Sequence, residues 1–192
     1  MARPREFDRA DALQEATEVF WRNGYDAASM QDLVENMGIG RASLYDTFGS
    51  KRELYDEELD CYRKRIAEDL LDPLRRDGPA PRCIRNFFLG LVRFQARKET
   101  PGCLMVKSAV LPPKDDAAAA AAARSFLAEL EGAFRAVIRR GQEEGGIPKE
   151  KSARVLSRFL AHMALTLAVT ASIRKEYRYL RDLVDAALAI LR

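Results

Sequence analysis

The sequence predicts an all-α protein of about nine helices, a small three-helix head followed by a larger helical body. Three observations carry that expectation. Apolar residues recur at three- and four-residue spacing along the chain, period-2 alternation is almost missing, and the periodic segments are separated by glycine- and proline-rich breaks. At 192 residues, 47% hydrophobic and 32% charged, the chain is long and apolar enough to bury a core without disulfide or metal staples.

The first helix is expected over Asp8 to Asn23, with Leu13, Ala16, Val19 and Phe20 on one face and Gly24 in the position of a C-cap glycine. Ser29 then precedes MQDLVENM, and Asp32 three residues on makes a capping-box-like pair. Leu33, Val34 and Met37 give this short helix its apolar side. Gly38-Ile39-Gly40 breaks it, and a third short helix follows from about Arg41 to Thr47. Ser50-Lys51-Arg52-Glu53 is a Ser-x-x-Glu capping box that opens a long helix through Leu54, Leu59, Ile66 and Leu70. Asp72-Pro73 is expected to disturb it, near Leu71, before the loop 75–81. The division falls there: residues 1–52 form the head and 53–192 the body.

In the body, helices are expected from Arg82 to Lys98, from Gly102 to Leu111 (stopped by Pro112-Pro113) and from Asp115 to Gly141 through an alanine run. Gly145-Gly146-Ile147-Pro148 is a turn. Two last helices cover about Lys149 to Arg174 and Glu176 to Leu191. The apolar stretch from Phe159 to Ile173, interrupted by His162 and two threonines, falls short of the roughly 20 residues of a membrane span. No secretory h-region opens the chain, so a cytoplasmic protein with no membrane partner is expected.

Two short helices around Gly38-Ile39-Gly40 have the lengths and turn chemistry of a helix-turn-helix. The second is so short that its first turn must do any reading of base edges. Arg41, Ser43, Tyr45 and Thr47 supply donors there, while Leu44 and Phe48 turn toward Leu33, Val34 and Phe20. Ser29, at a helix N-terminus, and Tyr45 suit a phosphate. Lys51 lies in the first turn of a helix, where a cation opposes the dipole unless an anion compensates it. From Met1 to Arg52 there are seven Lys/Arg against nine Asp/Glu, hence −2, within a chain of net charge +3. Any nucleic-acid contact must therefore rest on a few placed cations. For Tyr45 the competing reading is a core aromatic, for Lys51 an ordinary solvated lysine and for Ser43 helix filler, while Arg41 is read as a base or phosphate contact.

The stretch SMQDLVENMGIGRASLYDTFGSKREL resembles the N-terminal signature of the TetR/AcrR family: a capping Ser, an apolar helix, a glycine before a small turn, Leu-Tyr-x-x-Phe, then Ser-Lys-x-x-Leu. It departs from the family at Gly40, where a capping Ser or Thr is frequent, and at Ala42, frequently glycine. The resemblance implies a homodimeric transcriptional regulator that binds double-stranded DNA at a palindromic operator and is released by a small-molecule effector. PGCLMV at Pro101–Val106 resembles a segment of members that sense electrophiles or oxidants.

The body carries the candidate effector site: Phe87, Phe88, Leu91, Cys103, Met105, Phe126, His162 and Thr166. These apolar walls suit a hydrophobic or aromatic molecule, not a sugar or nucleotide. Each has a plainer reading. The Phe87–Phe94 stripe has the spacing of core; His162 reads equally as a buried core histidine; Cys103 is a small hydrophobe unless the helix N-terminus and Lys107 activate its thiol. Three scattered cysteines and one histidine make a disulfide framework, a zinc site or a catalytic triad poor expectations, so neither cofactor nor enzymatic activity is expected. The rival reading is a helical ligand-binding or scaffolding module without sequence-specific DNA binding.

Overall fold

The computed structural model describes residues 7–97, 102–110 and 117–192. Among them the regular structure is helical throughout: α1 (Arg9–Ala27), α2 (Met30–Met37), α3 (Arg41–Phe48), α4 (Lys51–Arg75), α5 (Ala80–Gln95), α6 (Leu104–Val110), α7 (Ala117–Glu143), α8 (Ala153–Ile173), α9 (Tyr177–Leu188) and a closing 3-10 turn (Ala189–Leu191). The all-α expectation holds. The expected helix ends at Lys98 and Leu111, the Pro112-Pro113 stop, the start at Asp115 and Pro101 lie outside the described residues.

Local chemistry sets the head. Asp8 caps α1 by accepting from the Ala10 and Asp11 N–H groups at 2.7 and 3.2 Å. The chain breaks at Gly24, whose φ of 78° suits glycine, before one further turn. Ser29 and Asp32 form the reciprocal capping box that opens α2, and Gly38 closes it in the left-handed conformation. Gly40 caps α3 without a side-chain bond.

Three expected boundaries are corrected, two helix ends and one helix start. α4 runs through Pro73 to Arg75. Proline removes one backbone donor near the helix end, and Leu74, 3% exposed, ties that last turn to the body core. α7 passes Gly141 without stopping. A Cβ there would lie 2.6 Å from the Ala80 Cβ and 2.9 Å from Ile147 Cδ1, so this glycine serves the close approach of α5. α8 begins at Ala153, later than the expected Lys149, after Ser152 caps it, and its 21 residues are long and apolar enough to cross a membrane, unlike the apolar stretch from Phe159 to Ile173. Its buried face (Leu156, Leu160, Ala164, Leu167, Ala171) packs in the body core, the behaviour of a central helix in a bundle.

Two apolar cores result, and α4 belongs to both. In the head, Leu13, Ala16, Phe20, Leu33, Leu44 and Phe48 close on Leu54, Tyr55, Leu59 and Tyr62 of α4, and the cluster continues to Leu104 and Phe126. In the body, Leu71 and Leu74 join Ile84, Phe87, Phe88, Leu130, Phe134, Leu160 and Val184. Of the apolar residues on the last two helices, Leu156, Leu160, Leu167, Val184, Ala187 and Leu191 are consumed by this core. The exposed ones are Val155, Phe159, Val169 and Ile173 of α8 with Tyr177 and Tyr179 of α9.

Candidate DNA-binding face and sensor cavity

On α3 the four residues singled out from the sequence separate by exposure. Arg41 and Tyr45 are open to solvent, while Ser43 and Thr47 are half-buried. Arg41 and Tyr45, one turn apart, come together: the guanidinium carbon lies 6.0 Å from the ring centroid. Leu44 and Phe48 fill the head core on the opposite side. Ser29 stands at the start of α2. Its N–H is bound by the Asp32 carboxylate and its hydroxyl oxygen accepts from the Asp32 N–H, both at 3.0 Å. The Ser29 hydroxyl first, and then the Ser29 N–H, hold the Asp32 carboxyl below its ordinary range.

Cations in this region differ in their partners, and Arg52 has both kinds, since it also lies 5.8 Å from the Tyr25 ring centroid. Arg9 makes a two-pronged pair with Glu57, 2.7 Å at its Nη2, and lies over Phe48. Arg22 pairs with Glu18 at 3.2 Å and Arg52 with Asp56 at 3.1 Å. Arg41 and Lys51 instead lie against tyrosine rings. Lys51 Nζ sits 4.4 Å from the centroid of Tyr25, which packs on Phe20 and Tyr55. Partial burial lowers the Lys51 pKa, with the Asp26 charge opposing. Nothing in the sequence pointed to Tyr25, whose ring gives Lys51 a partner within the chain itself, so a cation at this helix start does not by itself require an anion.

Where α4, α5, α7 and α8 meet beneath α6, the body holds a partly open cavity of about 260 Å3. Phe87, Leu91, Cys103 and Phe126 stand in its walls with Phe94, the end of the stripe, joined by residues not singled out beforehand: Tyr62, Ile66, Gln95, Leu130 and Ala168. Tyr62 and Gln95 carry a polar group into an apolar helix face, a pattern that also occurs in ordinary cores and so gave no signal. Phe88 is elsewhere. It is 1% exposed and packs on Phe87 and Phe134, with ring centroids 5.1 and 5.7 Å away. Met105, His162 and Thr166 border an adjoining groove between α6, α7 and α8, which shares Val106, Phe126 and Leu165 with the cavity. His162 is exposed, with Nδ1 2.8 Å from the Arg158 carbonyl, and is not the buried core histidine expected. The helical phase decides this: 155, 159, 162, 166, 169 and 173 share the outer stripe of α8, opposite its buried face.

The surroundings of Cys103 differ from expectation as well. The N–H groups of Met105 and Val106 at the start of α6 do favour the thiolate, but burial outweighs them and raises the thiol above its ordinary range. Lys107 contributes nothing to it. Its ammonium turns away to donate to the Trp21 and Arg22 carbonyls at 2.8 and 2.9 Å, at the C-terminal end of α1. Trp21 completes the junction: its ring packs edge-on against Tyr62 and stacks on Phe94, 5.8 and 6.3 Å between centroids. Two cavity walls thus touch a residue of the head. Among the described residues no group of three or more His, Cys, Asp or Glu is placed to share a metal ion.

Comparison with known proteins agrees with this arrangement. Residues 12–57 match the family described as bacterial regulatory proteins, tetR family. The chain is 31% identical over its whole length to the whole of YezE of Bacillus subtilis (strain 168), an uncharacterized HTH-type transcriptional regulator. It is 29% identical over 99% of its length to 90% of ComR of Escherichia coli (strain K12), an HTH-type transcriptional repressor. Among solved structures, a cysteine mutant of the TetR family regulator CifR, complexed with 26-bp double-strand operator DNA, is 33% identical with a TM-score of 0.90, covering 99% of this chain and 100% of that one. With a helix-turn-helix head, a helical body and relatives matched from end to end, this chain belongs to the TetR family of DNA-binding transcriptional regulators.

Proposed function

We propose that the protein is a homodimeric repressor that holds a palindromic operator and lets go when a small hydrophobic molecule fills the cavity between α4, α5, α7 and α8. The observation that carries this reading is the junction at Trp21, through which two walls of an apolar cavity contact the head directly. A ligand shifts such a protein only by binding its two states unequally, and walls shared with the head provide that inequality. In this reading Arg41 and Ser43 face base edges, with Thr47 beside them, while Ser29, Tyr45 and Lys51 anchor on phosphates. Residues 1–52 act as the reading head and 53–192 as the sensing and dimerising body.

The dimer rests on a particular distribution. Six of the seven exposed large hydrophobics among the described residues lie on α8 and α9, and the seventh is Tyr45 of α3. Packing the outer stripe of α8 and the Tyr177–Tyr179 edge on a twofold mate covers them. His162 and Thr166 then belong to that face instead of the cavity. Such a dimer presents its heads about 34–36 Å apart, or somewhat more, for successive major grooves.

A second reading of the signal, covalent attack by an electrophile, keeps one observation in its favour: Cys103 stands in the cavity wall, 4.0 Å from the Tyr62 hydroxyl. The raised thiol and the averted Lys107 favour the non-covalent signal. Footprinting on the upstream intergenic DNA, followed by release assays on the parent and Cys103→Ser, tests both. Sequence-selective protection that Cys103→Ser relinquishes as readily as the parent supports the proposal. Protection only at low salt, without sequence preference, removes it.

A further inference from the structure

The cavity walls are nearly all hydrocarbon, yet Gln95 of α5 stands among them. Gln95 is 2% exposed, and its amide oxygen Oε1 has no hydrogen-bond partner among the described residues. The other polar wall groups are differently situated. The Tyr62 hydroxyl already accepts from the Leu104 N–H at 3.4 Å and lies against the Cys103 thiol, and Asp69 is exposed. Buried acceptors are almost always paired, because an unpaired one has lost its hydration and gained nothing. A leucine or methionine at position 95 would fill the same space without that cost, so the amide is not explained by packing.

Resting on the reading of this cavity as the effector site, we infer that Gln95 Oε1 is the acceptor that orients the effector, and that the effector is a neutral hydrophobic molecule with a hydroxyl or N–H donor at one end. The size follows from the volume. At about 260 Å3 the cavity lies between one that holds a single benzene ring and the smaller drug-binding pockets, so it takes a molecule of one or two rings. Neutrality follows from the walls: an amide oxygen among aromatic and aliphatic side chains solvates a donor dipole but does not offset the desolvation of a full charge. The donor at Gln95 then fixes which end of the ligand meets the Trp21 junction at Phe94, the neighbouring residue on α5.

Three non-absorbing probes of one shape test this: 4-tert-butylcyclohexanol, its methyl ether, and 4-tert-butylcyclohexanone. Each is titrated into the full-length protein, followed by calorimetry and by the emission of Trp21, the single tryptophan of the chain. The alcohol is expected to bind about tenfold tighter than the ether or the ketone, the scale of one hydrogen bond to a buried acceptor. In Gln95→Leu the alcohol is expected to fall to the level of the ether or below it, since its hydroxyl is then desolvated without a partner. Gln95→Met, unbranched like glutamine, should behave alike, and melting curves no lower than the parent's establish that both variants fold. Equal binding of the three probes by the parent, a preference for the ketone, or an alcohol preference that survives both substitutions overturns the assignment while leaving the cavity as a binding site. Absence of binding by all three overturns the cavity reading, and this inference with it.

Discussion

The Trp21 indole N–H donates to the Gly102 carbonyl at 2.9 Å, crossing from the last regular turn of α1 to the turn that precedes α6. Lys107 closes the same junction from the other side through the Trp21 and Arg22 carbonyls. The turn also carries Cys103, so in the proposed switch displacement of this cavity wall would reach the head through hydrogen bonds as well as through ring contacts.

Trp21→Phe and Lys107→Met are therefore expected to separate DNA binding from release. Each leaves partners unpaired at a cost of about 1–2 kcal/mol, visible as a small drop in the melting temperature. Operator affinity without effector should change less than threefold, while the effector concentration for half-release should rise about tenfold or more. An unchanged dose–response in both variants would place the coupling elsewhere, along α4 alone.

Loss of Lys51 and loss of Arg41 should look different. Lys51→Ala is expected to weaken binding to all sequences alike and to lower the salt slope by about one unit. Arg41→Ala should instead change the ranking of operator variants, by about 1–3 kcal/mol at the base it reads. Competition binding at several salt concentrations distinguishes the two, and a sequence-independent effect of Arg41→Ala would reassign it to the backbone.

Phe159 is 39% exposed in the middle of the outer stripe of α8. Phe159→Glu should turn the assembly into monomers at micromolar concentration in sedimentation runs while leaving the helical circular-dichroism signal intact, because the protomer core does not use that side chain. A stable dimer in this variant would move the interface off α8.

Glu58 of α4 is 1% exposed, and its Oε1 has no partner among the described residues. Burial pushes its carboxyl up to about 7; the nearby Thr17 hydroxyl and the Arg65 charge offset part of this, and Glu57 adds to it. A carboxyl raised in the folded state gives stability that is fully present below the ordinary carboxylate range and is lost as pH rises through about 7. The loss is roughly 3 kcal/mol by the end of that rise. Urea denaturation of Glu58→Gln should match the parent near pH 5 and exceed it above pH 8. Parallel stability curves for the two proteins across that range would show that the buried carboxyl titrates normally.

Phe88→Ala is expected to act on stability and not on sensing. Its ring is enclosed by Phe87 and Phe134, so truncation should cost about 3–5 kcal/mol. Leu91→Ala, by contrast, enlarges the cavity and should shift the effector dose. A dose shift in Phe88→Ala without destabilisation would bring that ring back into the site.

What the sequence determined by itself is what short-range chemistry determines. Helix starts at Asp8, Ser29 and Ser50, the turn at Gly38 and the α3 face with Leu44 and Phe48 inward depend on bonds and contacts within a few residues. They could be read directly, as could the order of the helices. Tertiary packing decided the rest. Whether Pro73 or Gly141 ends a helix depends on what Leu74 and Ala80 meet from distant segments. Phe87 and Phe88 share a stripe and both pack on Phe134 of α7, yet only Phe87 also reaches the cavity. His162 points outward because the opposite side of α8 is filled by Leu160, Ala164 and Leu167. Lys107 serves α1 and not Cys103, although it lies four residues from the cysteine, because the α1 carbonyls left open near Gly24 come within 3 Å of its ammonium. Periodicity states that a helix has an inside; only the neighbouring helices state which part of that inside is core, which is cavity and which is junction.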